Sequence, residues 1–284
     1  MKRPLFSLFF AFFVALAILP SARAQQASNT APASGGGVDV DGIIRAFTAK
    51  ETQFRKALNE YSFKRDAVIQ TLGLGGQISG EYKRVSQFVF DDSGRRYEKI
   101  LFFPMPTMAE ITITAEDLED LSGVTPFALE AAKANLYKFS YVGKERLDEI
   151  DTYIFDVAPK VMPDPKKTKE RFFMGRIWVD QQELQIVKAR GKGVPEDKNN
   201  KYATFETYRE QIDGKFWFPT YSYADDELVF GNGQAVHLRA RVKYTDFERL
   251  SGKVRIIEDT APGEGIPANT TTPAKPAPSP TPKP

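Results

Sequence analysis

The alternation of apolar and polar residues with a period of two, repeated along most of the chain, is the feature that most constrains the fold. Nine segments rich in aromatic and β-branched residues show it, as is typical of β-strands. Short turns such as Asp213-Gly214 and Gly231-Asn232-Gly233 join neighbouring segments. The sequence therefore predicts an antiparallel meander of about nine or more strands. The segments are residues 61–72, 76–90, 95–104, 152–159, 171–180, 183–191, 202–212, 215–224 and 235–247.

The last of these segments shows the clearest separation of two faces. One set of alternate residues is apolar, and the other set is basic. Such a strand has one face on a core and one face in water. The predicted buried residues are Val236, Leu238, Ala240, Val242 and Tyr244, and the predicted exposed residues are His237, Arg239, Arg241 and Lys243.

Helical patterns occur at two places. The first precedes the strands, with Asp41 as its expected cap and one apolar face at a period near 3.6; that face comprises Ile43, Ile44, Phe47, Phe54 and Leu58. Residues 112–139 predict one or two short helices, begun by a capping box of Thr114 and Asp117. The predicted fold class is thus α+β: an antiparallel open half β-barrel with an N-terminal helix and short lid helices on its concave face.

The two ends of the chain differ from the middle. Residues 1–24 have a basic start, an apolar stretch and Ala22-Arg23-Ala24, a pattern that predicts a cleaved signal peptide and export to the periplasm. Residues 25–38 predict a flexible leader, and residues 260–284, rich in Pro, Thr and Ala, predict a disordered tail. Residues 39–259 are left as one domain.

Charge and composition exclude several classes of function. The predicted signal peptide, residues 1–24, carries three of the 39 basic residues and no acidic one, so 36 basic residues remain against 37 acidic ones. This balance gives no support for a nucleic-acid partner. With no cysteine and one histidine, the usual zinc sites cannot be assembled, and no phosphate loop or nucleophile elbow occurs. We therefore expect no catalytic residue, no metal and no cofactor.

Three stretches of the sequence resemble a known family. They are "GRIWVDQQELQIVKARGKG", "YREQIDGKFWFPTYSYAD" and "RVKYTDFERL", and in this order they resemble the LolA/LolB-like carriers of the outer-membrane lipoprotein-sorting superfamily. The likeness covers about residues 43–247. It implies a periplasmic protein with an unclosed β-barrel around a helical lid, and an apolar cavity between them that binds acyl chains.

An apolar cavity of this kind needs large side chains that converge from several strands. Aromatic and aliphatic residues recur at a period of two on successive segments, so we expect many of them to share one face of a curved sheet. The candidate lining residues are Phe88, Phe90, Leu101, Phe103, Phe155, Ile177, Val179, Phe218, Tyr221 and Tyr223.

The expected function is to shield an acyl chain, a lipid or a lipoprotein from water for outer-membrane sorting. The expected partners are that lipid or lipoprotein and a protein of the inner or outer membrane. Two other interpretations stay open at this point. The same fold would serve an envelope-stress regulator that binds a second protein, and it would serve a structural envelope protein whose interior is only a packed core.

Overall fold

The computed structural model describes residues 37–114, 117–118, 128–168 and 170–250. Ten strands form a single antiparallel sheet in the order β3-β2-β1-β10-β9-β8-β7-β6-β5-β4. Within this part of the chain, β3 and β4 are the free edges, so the sheet is open. The strands are β1 Tyr61–Leu72, β2 Ile78–Phe90, β3 Arg96–Phe102, β4 Tyr137–Leu147, β5 Ile150–Pro159, β6 Phe172–Asp180, β7 Ile186–Val194, β8 Phe205–Ile212, β9 Phe216–Val229 and β10 Ala235–Arg249.

Helix α1 spans Val40–Leu58, and its apolar stripe is buried as its period predicts. Asp41 lies in the first turn of the helix instead of preceding it as a cap. The Phe47 ring lies 5.7 Å from that of Phe155 on β5, and the Phe54 ring lies 5.6 Å from that of Phe218 on β9. These contacts define the helix-facing side of the sheet; the other side is called the outer face.

A buried ion pair also joins the helix to the sheet. Glu51 and Arg209 of β8 are 2% and 3% exposed, and the guanidinium donates two hydrogen bonds of 2.6 and 3.1 Å to the carboxylate. The Arg209 guanidinium also lies 4.7 Å from the centre of the Phe54 ring. The carboxylate and the guanidinium thus compensate each other's charge within the core.

The predicted two-faced strand is confirmed in β10. All five of its predicted apolar residues are buried, whereas the imidazole of His237 lies on the outer face and is 45% exposed. The predicted turn at Asp213-Gly214 is also confirmed, with φ of 54° and 63° at its two central residues. The predicted fold class, an open antiparallel half-barrel with an N-terminal helix, is therefore confirmed.

The predicted capping box is present: the Thr114 hydroxyl donates to Asp117 at 2.8 Å, and the Asp117 amide donates to Thr114 at 3.1 Å. Most of the helix predicted after it lies outside the described residues. The end of that region is a 3₁₀ helix, Ala131–Leu136, followed at once by β4, a strand that the periodicity did not predict.

No helix in the described ranges is long and apolar enough to cross a membrane.

Candidate functional site

A cavity of about 380 Å³ lies on the helix-facing side, between residues 110–113 and the ends of β8, β9 and β10. Its apolar lining comes from two sources: strand residues that alternate inward, and the irregular segment that crosses them. The volume lies in the range of ordinary ligand pockets, and so does the combination of an apolar wall with a few polar groups. The apolar lining residues are Ile111, Ile113, Ala203, Leu228, Phe230 and Leu238.

The irregular wall of the cavity is held to strands β1 and β2 by a few polar contacts. The amide of Thr107 donates to the Glu81 carbonyl at 2.9 Å, and the Glu81 amide donates to the Thr107 hydroxyl at 2.9 Å. The carboxylate of Glu110 accepts a hydrogen bond of 3.2 Å from the Thr71 hydroxyl. Ile111 and Ile113 are partly buried and pack on the core beside this anchor. The segment therefore closes the cavity without belonging to the sheet.

The polar side of the cavity is arranged around Arg171. Its guanidinium lies 4.6 Å from the centre of the Tyr202 ring and 3.5 Å from the Asp117 carboxylate. Burial raises the pKa of the Tyr202 hydroxyl above its ordinary value of 10.0, so this group stays neutral. A half-buried cation stacked on an aromatic ring is suited to hold an anionic group at the end of an apolar ligand.

The loop before β8 brings further polar groups to the same rim. Asp197 accepts backbone hydrogen bonds from Asn199 and Asn200 at 2.7 and 2.8 Å, and these bonds lower the pKa of its carboxyl. The Tyr202 amide donates to Glu196 at 3.1 Å. Since side-chain hydrogen bonds fix the loop, Lys201 reaches the rim from a defined backbone.

A second cavity, of about 310 Å³, shares residues 111–113 with the first. It lies towards β2, where Tyr82 and Phe103 face each other with ring centres 5.3 Å apart. Met108 lies against β2 at Gly80, where a Cβ would come within 2.7 Å of the Met108 Cα. The two cavities therefore lie on either side of one irregular segment.

The predicted lining residues do not form a single surface. Four of them are packed in the core on the helix-facing side, at 0–1% exposure: Phe155, Ile177, Val179 and Phe218. Phe88 is partly buried on the same side, where its ring stacks on Phe63 with centres 4.6 Å apart. Phe90 is partly buried at the end of β2.

The other predicted lining residues lie at the sheet edge or on the outer face. Leu101 and Phe103 are 47% and 42% exposed beside the free edge of β3, and Phe103 lines the second cavity. Tyr221 pairs with Tyr208, and Tyr223 pairs with Glu206. Both tyrosines lie on the outer face, since directly opposed residues share a face and Tyr208 in turn pairs with Lys188.

The sequence did not identify the residues that line the cavity of about 380 Å³, for two reasons. Leu238 was identified as buried, but the alternation of β10 could not show that it borders a void. Ile111 and Ile113 lie in a segment without periodicity. Phe230 follows β9 directly, next to the predicted Gly231–Gly233 turn, and that position was the one available signal.

Among the described residues, no group of three or more His, Cys, Asp or Glu side chains could hold a metal ion. The one histidine, His237, pairs with Asp225 on the outer face, away from the cavity. What the site offers is an apolar volume with a cationic rim.

Comparison with known proteins gives structural likenesses alone. No family model and no curated protein sequence matches this chain. A DUF1329 family protein from Desulfovibrio piger is 18% identical, with 74% of this chain and 93% of that one covered and a TM-score of 0.37. A LolA superfamily protein from Nitrosomonas europaea is 15% identical, with 71% and 93% covered and a TM-score of 0.33. An inferred outer membrane lipoprotein-sorting protein domain from Vibrio parahaemolyticus is 12% identical, with 72% and 93% covered and a TM-score of 0.32.

The order of the ten strands, with the N-terminal helix packed on one face, gives the open antiparallel half-barrel that the sequence predicted.

Proposed function

We propose that this chain is a periplasmic, non-catalytic protein that binds the acyl chain of a lipid or lipoprotein in the cavity beneath residues 110–113. The observation that carries the proposal is the cavity itself: an apolar wall on the helix-facing side of an open sheet, with Arg171 and Lys201 at its rim. The resemblance to lipoprotein-sorting carriers supports the same cargo class. Release to the outer membrane then requires a partner protein in one of the membranes.

The energetics favour such a ligand. Each methylene removed from water contributes about 0.8 kcal/mol, so a stretch of about ten methylenes contributes on the order of 8 kcal/mol before the cost of ordering the chain. The cationic rim adds a charge-assisted contact to a carboxylate or a phosphate. No group in the site has to react with the cargo.

Adjacent residues provide a matched test. Phe230 lines the cavity, whereas Val229 is 55% exposed and points the other way. Titration with a fluorescent fatty acid should show saturable uptake by the wild type. Phe230→Glu should weaken uptake at least about tenfold, because a carboxylate would have to be buried against the ligand. Val229→Glu should bind as the wild type does.

Two outcomes would contradict the proposal. Equal loss in both variants would mean that the added charge acts from the surface. No uptake by the wild type would mean that the interior is only a packed core. Circular dichroism checks that each variant is folded, and Ile113→Asp repeats the test from the other wall.

A further inference from the structure

A separate concave surface lies on the outer face, apart from the two cavities beside residues 110–113. It is an open groove of about 740 Å³ across β4 to β7. Four cationic side chains and one carboxylate line it, which gives a local excess of positive charge in a chain that is otherwise near neutral. We call it the basic groove; its cations are Lys138, Arg176, Arg190 and Lys192.

The surrounding carboxylates neutralise these cations only in part. Lys192 is paired with Glu196 at 3.0 Å. Asp156 accepts hydrogen bonds of 2.7 and 3.1 Å from Arg176 and is thereby occupied. The nearest carboxylate to Arg190 is that of Glu206, at 3.9 Å, and Glu206 is already held by Lys188 at 2.8 Å. Among the residues that the structure describes, Arg190 therefore has no close carboxylate of its own, and its side chain is 64% exposed.

The register of the sheet places like charges side by side. Arg176 and Arg190 are direct cross-strand partners on β6 and β7. Like charges in this position repel and destabilise a sheet. Lys138, exposed on the edge strand β4, makes no ion pair with any residue that the structure describes. An anion bound in the groove would relieve this repulsion.

Exposed apolar side chains border the same end of the groove. Leu136 precedes Lys138 by two residues and is 42% exposed, while Val161 and Met162 are 81% and 51% exposed. The two segments are adjacent, because the Lys160 amide donates to the Leu136 carbonyl at 2.8 Å. Three exposed apolar side chains close together beside a basic groove are typical of an interaction surface.

We propose that the basic groove and its apolar border bind the surface of a membrane that contains anionic phospholipids. The cations contact lipid phosphates, and Leu136, Val161 and Met162 enter the layer between the headgroups and the acyl chains. A soluble phosphate ion would use the cations alone. The apolar border therefore favours the lipid surface over free phosphate.

Vesicle flotation tests this surface. The protein is purified without detergent, in the form that cells accumulate, and mixed with vesicles of phosphatidylcholine, or of phosphatidylcholine and phosphatidylglycerol in equal parts. We expect binding to the anionic vesicles and not to the neutral ones. Lys138→Gln with Arg190→Gln should weaken binding about 25-fold, since each basic residue near an anionic surface contributes about a factor of five.

The chain offers a matched control on the same face. Arg241 and Lys243 of β10 are also exposed cations, and they lie outside the groove. Arg241→Gln with Lys243→Gln removes the same charge and should leave binding within about twofold of the wild type. Val161→Ser with Met162→Ser should weaken binding at unchanged charge.

Three results would overturn the proposal. Equal losses of binding in the groove variant (Lys138→Gln, Arg190→Gln) and the control variant (Arg241→Gln, Lys243→Gln) would show that the net charge of the protein, and not the groove, attracts it to the vesicles. An unchanged affinity in the Val161→Ser, Met162→Ser variant, together with competition by inorganic phosphate at constant ionic strength, would show a phosphate site and not a membrane surface. Failure of the wild type to float with anionic vesicles would exclude the membrane surface. None of these results depends on uptake of a fatty acid, so this proposal and the acyl carrier can fail separately.

Discussion

The ion pair between Glu51 and Arg209 fixes helix α1 on the sheet, and its loss should be the most damaging single change in the core. Both side chains are at most 3% exposed. In Glu51→Ala the guanidinium of Arg209 remains buried without its carboxylate and loses the hydrogen bonds of 2.6 and 3.1 Å. Breaking a buried pair in this way costs about 3–5 kcal/mol of the free energy of unfolding.

Urea denaturation followed by tryptophan fluorescence measures this cost. With a slope of about 2–3 kcal/mol per molar urea, the midpoint should fall by about 1–2 M. Glu210→Ala removes an exposed carboxylate next to Arg209 and should change stability by less than about 0.5 kcal/mol. The double variant Glu51→Leu, Arg209→Met should recover most of the loss, because no buried charge then remains.

Two results would refute the reasoning. A loss below about 1 kcal/mol in Glu51→Ala would mean that water reaches Arg209 and that the pair is not buried in solution. A double variant as unstable as Glu51→Ala would mean that the carboxylate contributes by packing and not by compensating the charge.

Three further predictions concern other parts of the fold. Gly175→Ala should lower the melting temperature by several degrees in a thermal scan, because its Cβ would lie 2.2 Å from the Arg190 carbonyl oxygen; Gly193→Ala, whose nearest neighbour is 3.8 Å away, is the control and should change little. The hydrogen bond from His237, with those from Arg239 and Tyr223, lowers the pKa of Asp225 from 3.8 to about 2. Because the pKa of Asp225 is lower in the folded state, this stabilisation is present above pH 3.8 and is lost as the pH falls towards 2. Asp225→Asn should remove this dependence of the unfolding free energy on pH, which is worth less than about 1 kcal/mol at this partly exposed site. The same pH dependence in the variant, measured by acid denaturation, would contradict the assignment. Trp178→Phe should lower the free energy of unfolding by about 1 kcal/mol in urea denaturation, because the indole donates a hydrogen bond of 2.7 Å to Glu145. Glu145→Gln keeps an acceptor and should lower it by less. Equal losses in the two variants would argue against the bond.

The fold could be predicted from the sequence because alternation and turn residues agree over most of the chain. In β10 each predicted face is the observed one, and Asp213-Gly214 forms the predicted turn. Strand β4 was missed for a local reason. A register irregularity between Tyr141 and Gly143 interrupts its period, and charged residues follow. Alternation identifies a strand only where the pleat is regular.

The site could not be predicted in the same way. Continued alternation from Phe218, which faces the helix, places Tyr221 and Tyr223 on the opposite face, as observed; grouping all three ignored that parity. Phe155 and Ile177 face the helix side but are fully packed in the core, Phe155 against Phe47 of the helix. Periodicity predicts which side chains leave water, but whether they meet other side chains or a void depends on segments such as residues 110–113, which have no period.

Native mass spectrometry with lipid extraction, on protein purified from its natural compartment without detergent, tests the central claim most directly. The account predicts acyl-bearing species that leave the protein on extraction and are absent from the Phe230→Glu variant but present on Val229→Glu. A wild-type protein that carries no such species, and that takes up none when lipid is supplied, would contradict it.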